Sequence, residues 1–297
     1  MVTATISSIM ELHDLMPEPD DEWRRMLSFV DLEEDDKQAM SRSAEPLLRK
    51  APDLVVDTYD YLRSVPETAA ILGWEDGIDE EHLEERRRFF TIWLTRTLGL
   101  DTGDEFAYYL YRAGKFHAGH GPRQIHTPSS YVTASIGLVL ASFSAYMAEA
   151  GLPADVIAGA MAGWNKYLMV QLHLMLMGYQ AAVAWDKGSL TINVSLFGRL
   201  RPMVGQRDIS LKVEPEATIA DVLKKFFDYY PQIRADTLEQ VWHSEDEKES
   251  LWMNVIPVYL PRPGWRILFN GRNVEYGGGF NLTVGDEDTV AIFPPGR

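Results

Sequence analysis

Cysteine is absent from all 297 residues. That excludes disulfides, thiolate-bound zinc or heme iron, iron–sulfur clusters and cysteine nucleophiles together. A cysteine-free chain fits the reducing cytoplasm, the expected location. Positive charge is also scarce: 28 Lys and Arg stand against 44 Asp and Glu, for a formal net charge of −16. Nucleic-acid binding needs a basic stripe along the phosphates, and docking to anionic lipid needs a basic patch. Neither nucleic acid nor membrane is therefore an expected partner. Most of the acid excess lies before residue 188, where it reads as a solvated, solubilising surface. Long uninterrupted apolar runs are missing too. The longest, near Tyr131–Met147, is broken by Ser, Thr and Gly and is expected to be a buried helix rather than a membrane span. Met1–Met16 has no basic region followed by an apolar run, so no signal peptide is expected.

The chain is long enough for two domains, and its hydrophobic share of 46% supports a core of ordinary size in each. Up to about residue 185 the texture is helical. Glu22–Met40 holds an acidic cluster, Glu33–Asp36, that can start a helix. Pro52 is expected to open a helix through Thr58, Tyr59 and Leu62, with Pro66 ending it or starting the next turn. Further helices are expected over Asp79–Leu98, Asp104–His117, Ser129–Ala150 and Pro153–Val183. The last two are separated by Gly151-Leu152-Pro153, ordinary helix punctuation.

The texture changes at Asp186-Lys187-Gly188-Ser189. Leu190, Ile192, Val194 and Leu196 alternate with polar residues, as do Ile209, Leu211 and Val213, and each run reads as a strand with one buried face. Thr218 then caps a helix carrying Ile219, Val222, Leu223, Phe226 and Phe227, ended by Pro231. Residues 235–264 look like an insertion. Arg266–Phe269 runs into an Asn270-Gly271 turn, and Thr289–Phe293 is a final strand. Two domains are expected, 1–187 and 188–297.

Within Asp104–His117, Phe106, Leu110, Ala113 and His117 share one helix face. A histidine thus ends an apolar stripe. Spacing alone favours a core histidine bonded to a backbone carbonyl and leaves a ligand role open. A zinc cluster with His120 and His126 is a third option, although Gly119, Gly121 and Pro122 break the helix between them. His173 lies among apolar neighbours and reads as a core or pocket-edge residue; His13, His82 and His243 read as solvated.

Residues 20–185 resemble the protoglobin and globin-coupled sensor family. Five segments carry the likeness in order: Leu27–Asp35, Val55–Leu62 with Pro66-Glu67-Thr68, Arg86–Phe90 with Trp93, Ala113-Gly114-Lys115-Phe116-His117, and Tyr131-Val132. The resemblance implies a globin that binds heme b through His117, the proximal iron ligand. It also implies a distal Tyr59 able to donate a hydrogen bond to a bound gas, and Phe90 packed over the distal face with Phe89 as its rival. Trp93, Tyr131 and Val132 complete the implied pocket. Thr58 stands where the family usually has an aromatic residue, and residues 119–129 depart from better-known members. Arg123 and Lys115 are candidates to pair with the heme propionates. Family globins often pair through their last two helices, and Met161, Trp164, Leu168 and Met175 could supply such a homodimer stripe or instead face the heme or the internal core.

Residues 189–297 resemble the ubiquitin-like β-grasp sulfur carriers of molybdopterin and thiamine synthesis. The carrying text is Val194–Arg201, Ala217–Leu223, Leu268–Asn273 and Val284–Pro295. Carriers end in Gly-Gly, because only a chain end without side chains threads the narrow activating site. This chain ends Pro295-Gly296-Arg297. The expected architecture is therefore an all-α globin followed by an α+β β-grasp domain. The expected function is sensing of oxygen, nitric oxide, carbon monoxide or redox state, coupled to a β-grasp output or docking domain with a protein partner. Two alternatives stay open: a heme enzyme acting on oxygen, nitric oxide or peroxide, and a heme-regulated sulfur carrier.

Overall fold

Acidic residues sit ahead of the apolar spacing at most helix starts, where carboxylates meet the positive end of the helix dipole. In the computed structural model, which describes residues 9–246 and 253–295, α1 (Pro19–Phe29) opens on Pro19 with Asp20, Asp21 and Glu22 in its first turn. The positive φ of Asp31 breaks the chain before α2. α2 (Glu34–Ser64) starts from a Glu33/Asp36 capping box, which bonds backbone donors that would otherwise be orphaned. Pro52 does not open a helix as expected: α2 runs unbroken through both Pro46 and Pro52. Each proline costs one backbone hydrogen bond, and packing of α2 against α4 and α6 outweighs the loss. Pro66 does start α3 (Pro66–Leu72).

α4 (Glu80–Leu98) is capped by Asp79, whose side chain accepts from the His82 backbone N–H. α5 (Asp104–His117) has the expected bounds. α6 (Ser129–Glu149) and α7 (Ala154–Asp186) follow. Both are long and apolar enough to cross a membrane by length and composition alone, with 28% and 61% of their most apolar stretches buried. The expectation of a buried helix near Tyr131–Met147 therefore holds for one face of α6 only. Val132, Ile136, Val139, Phe143 and Met147 point inward; Ala134, Gly137, Leu138, Ala141 and Ala145 are exposed.

The chain forms two compact units, residues 19–180 and residues 1–18 with 181–297. The first is the globin-like helical unit. Its aromatic core sets Trp23 edge-on to Phe106 at 5.9 Å and Phe143 edge-on to Trp164 at 5.3 Å. Each buried polar tip finds an acceptor: Trp23 Nε1 donates to Thr102 O, Trp164 Nε1 to Ser43 Oγ, and the Tyr167 hydroxyl to Asp101 O. Trp164 and Leu168 are fully buried and Met175 nearly so. They fill this core and are not available as a dimer stripe.

The second unit is a β-grasp domain. Its five-stranded sheet has the order β2-β1-β7-β5-β6, built from β1 (Leu190–Leu196), β2 (Asp208–Val213), β5 (Arg266–Phe269), β6 (Arg272–Asn273) and β7 (Thr289–Phe293). β1 pairs antiparallel with β2 and parallel with β7. Between β1 and β2 lies the short α8 (Leu200–Val204). α9 (Ile219–Tyr229), started by a Thr218/Asp221 capping box, buries Ile219, Val222, Leu223, Phe226 and Phe227 in the same core as Ile192, Val194 and Leu196. Asn270 and Gly271 both take positive φ, as a two-residue β5–β6 turn requires. The 235–264 insertion holds the short α10 (Arg234–Thr237) at its start and then a hairpin, β3 (Leu238–Asp246) with β4 (Met253–Pro261).

Residues 9–18, expected with the helical domain, pack instead in this second unit. Leu12 makes a two-bond antiparallel bridge with Tyr259 at 2.9 and 3.0 Å. Leu12 and Leu15 join the β-grasp core. The Met16 N–H donates to Asp228 Oδ1 at 2.9 Å, and the Met16 carbonyl accepts from Arg234 Nη1. Arg234, 1% exposed, also donates to Phe227 O at 2.9 Å and Asp228 Oδ1 at 2.7 Å. Gly296 and Arg297, which carry the sequence argument about the carrier terminus, lie outside the described residues.

Candidate functional site

α5 reaches the site through a close helix crossing. A Cβ on Gly114 would fall 1.8 Å from Met175 O, and one on Gly178 would fall 1.9 Å from Tyr111 O. Glycine at both positions lets α5 touch the α7 backbone and fixes the height of His117, three residues on. His117 ends α5, and its carbonyl accepts from Thr127 N–H at 2.7 Å, tying down the following loop.

The His117 ring faces a cavity of about 470 Å³ inside the helical unit, within the range of small-molecule sites. All seven residues singled out in the sequence line it: His117, Tyr59, Phe89, Phe90, Trp93, Tyr131 and Val132. Both members of the Phe89/Phe90 pair reach the cavity. Phe90 stacks on Trp93 at 5.5 Å and meets the Tyr59 ring edge-on at 6.2 Å. Trp93 is held by Nε1 donating to Gln171 Oε1 at 2.8 Å, a buried bond. Burial, with a further push from the Arg86 charge, lowers the His117 imidazole to about 4. The ring is neutral near pH 7, and neither nitrogen bonds to a described residue.

Tyr59 is already engaged. Its hydroxyl donates to Arg86 O at 3.0 Å, and burial raises its pKa well above the ordinary phenol value. It remains a proton donor at any physiological pH.

Four other sequence expectations are corrected. His82 is buried rather than solvated, at 3% exposed. Its Nδ1 faces Trp74 Nε1–H at 3.2 Å and its Nε2 faces Arg86 Nε–H at 3.0 Å. Burial first, then Arg86 and Arg123, lower its pKa. His173 has a 43% exposed side chain and bonds buried Glu22 at 2.6 Å, so it is neither core nor pocket edge. Arg123 is committed to Glu85 at 2.6 Å and Asp79 at 3.1 Å, away from any propionate role. Lys115 does not line the cavity; burial and the charge of Arg112 bring its amine down to about 8. His126 bonds the Tyr179 hydroxyl at 2.8 Å, and among the described residues no three His, Asp or Glu converge to hold a metal ion.

Sequence reasoning missed Arg86 and Arg112 as lining residues; Met175, for which a heme-facing position was one option, also lines the cavity. Helical spacing could have found Arg86, four residues before Phe90, but not Arg112, which lies five before His117 and off its face.

Comparison with known proteins matches two families to two stretches of the chain. The protoglobin family matches residues 20–184, and the ThiS family matches residues 194–296. Small archaeal modifier protein 3 of Haloferax volcanii is 27% identical over 106 residues, covering 36% of this chain and 96% of that protein. Among solved structures, the globin domain of a globin-coupled sensor from Geobacter sulfurreducens is 16% identical, covers 53% of this chain and 97% of its own, and has a TM-score of 0.44. Small archaeal modifier protein 1 from Methanosarcina acetivorans is 25% identical, with 36% and 93% coverage and a TM-score of 0.26.

Proposed function

The chain belongs to the protoglobin family through residues 20–184, and from that membership we propose that it is a heme b-binding sensor of a diatomic gas or redox state, with the β-grasp unit as its output. The carrying observation is His117: a neutral, unpartnered imidazole facing an apolar cavity. The residues present fit the group. Phe89, Phe90, Trp93, Val132, Ile136 and Val139 offer an apolar lining for a flat ring. Arg112, exposed at the rim and without a carboxylate partner among the described residues, suits a propionate. Heme held by a single imidazole supplies an open sixth position for oxygen, nitric oxide or carbon monoxide.

His117 presents a ligand nitrogen that needs no deprotonation near pH 7. Phe90 and Trp93 keep water from the distal side. Tyr59 serves the gas only by leaving the Arg86 carbonyl, so its donation is an exchange of partners rather than a free bond. Purified protein is expected to show a Soret band, and its absence would sink the heme reading. For sensing, amide hydrogen exchange over 190–293 should differ between gas-free and carbon-monoxide-bound ferrous protein. Identical exchange leaves heme binding standing and ends the sensor reading.

A second copy is the proposed neighbour of the uncovered α6 face. That face carries no charged residue before Glu149 and exposes Leu138 at 39%. Leu138→Glu is expected to convert a dimer to a monomer in sedimentation; an unshifted mass argues against this face. The carrier reading is supported by the ThiS family match over residues 194–296 and by 27% identity to a small archaeal modifier protein across 96% of that protein. A thiocarboxylate on a trimmed C-terminus, seen by mass spectrometry, would favour it over the sensor.

A further inference from the structure

Arg86 lines the cavity from α4, although an apolar ring needs no cation there. Its Nε–H points at His82 Nε2, 3.0 Å away, and its guanidinium lies 6.0 Å from the Phe89 ring. A neutral imidazole accepts at one nitrogen only, so His82 bonds Arg86 when its proton is on Nδ1 and Trp74 when it is on Nε2. The buried ring lies against Arg86 at Nε. The two Nη groups have no hydrogen-bond or salt-bridge partner among the described residues. The neighbouring Glu85 carboxylate is taken by Arg123.

Arg86 and His117 line the same cavity from different helices. Arg112 shares α5 with His117 and is exposed. A carboxylate reaching toward solvent would meet exposed Arg112, whereas half-buried Arg86 is the less solvated of the two. A half-buried guanidinium with free donors is stabilised by an anion. Tyr59 could donate to that anion only by giving up the Arg86 carbonyl, whereas the Arg86 Nη groups have no described partner to give up.

We propose that Arg86 is an anion-recognition residue: it binds a small inorganic monoanion, of the azide or nitrite type, at the iron position that His117 leaves open. The inference deepens the heme reading and rests on it. Bound carbon monoxide carries little charge and gains little from a fixed cation, while an anionic ligand gains a charge-assisted hydrogen bond. The site would favour anions on ferric iron over carbon monoxide on ferrous iron.

The test uses the full chain loaded with heme, as wild type, Arg86→Met and Arg86→Lys. Ferric protein is titrated with azide and ferrous protein with carbon monoxide, both read by absorption. Arg86→Met is expected to weaken azide about tenfold or more, equivalent to about 1.4 kcal/mol. Arg86→Lys should recover part of that loss, and carbon monoxide affinity should move less than about threefold in every variant. Unchanged azide affinity in Arg86→Met overturns the proposal. So does faster heme transfer from that variant to an acceptor globin with azide affinity intact, which would make Arg86 a propionate holder. A wild type without a Soret band fails earlier and overturns the heme reading together with this inference.

Discussion

His117→Ala is expected to give a folded chain that no longer retains heme. Alanine is the best helix former, and the backbone bond from Thr127 N–H to the carbonyl of residue 117 survives the change. The fold should tolerate the loss, because the imidazole bonds no described residue. The iron, however, loses its nitrogen ligand. No other histidine among the described residues lines the cavity. His126 is exposed and bonds Tyr179, and His173 is held by Glu22. Removing an outer-shell partner of a metal ligand typically costs about 10–100-fold in affinity, so removing the ligand itself should cost at least about a hundredfold. Heme transfer to an acceptor globin, followed at the Soret band, measures this directly. Free imidazole should restore ligation by entering the space the side chain vacates. A variant spectrum identical to wild type, oxidised and reduced, would show that another group binds iron.

Arg234→Met should be the most damaging single change in the second unit. Arg234 is 1% exposed and bonds three partners: Phe227 O, Asp228 Oδ1 and Met16 O. Burial raises the Asp228 pKa, and Arg234 is the largest influence holding it down. Without the guanidinium a buried carboxylate loses its main counter-charge and the 9–18 segment loses a tether. Breaking a buried ion pair from one side typically costs about 3–5 kcal/mol. Amide exchange in β1 and β7 of the full chain should accelerate accordingly, with that of α5 unchanged. The double change Asp228→Leu/Arg234→Met should recover part of the loss, since an apolar pair leaves no charge uncompensated. Protection in β1 and β7 equal to wild type in Arg234→Met would show that the pair contributes little.

Much of this was legible in the sequence wherever the physics is local. The run of α5 follows from its apolar stripe, and β1 and β2 follow from strict alternation. The cavity residues were found because a family likeness told the apolar stripe of α5 apart from ordinary core; spacing by itself pointed to a structural histidine. What stayed hidden depends on tertiary partners that spacing does not show. His82 looks solvated among charged neighbours until Trp74 and Arg86 close over it. Arg123 looks free until Asp79 and Glu85 arrive from α4 and its cap. Pro52 reads as a helix start because propensity ignores the packing of α2 against α4 and α6.

The 9–18 segment also sets the order in which the molecule can be finished. Met16 leaves the ribosome long before Arg234, its partner 218 residues later. At synthesis rates of about 5–20 residues per second, that segment waits roughly 10–45 s for the core it completes. Every helix from α1 through α6 emerges in the interval, with short-range contacts that form quickly. During it Leu12 and Leu15 are unsatisfied apolar residues of a nascent chain. A segment made well before its partners is among the last to be put in place.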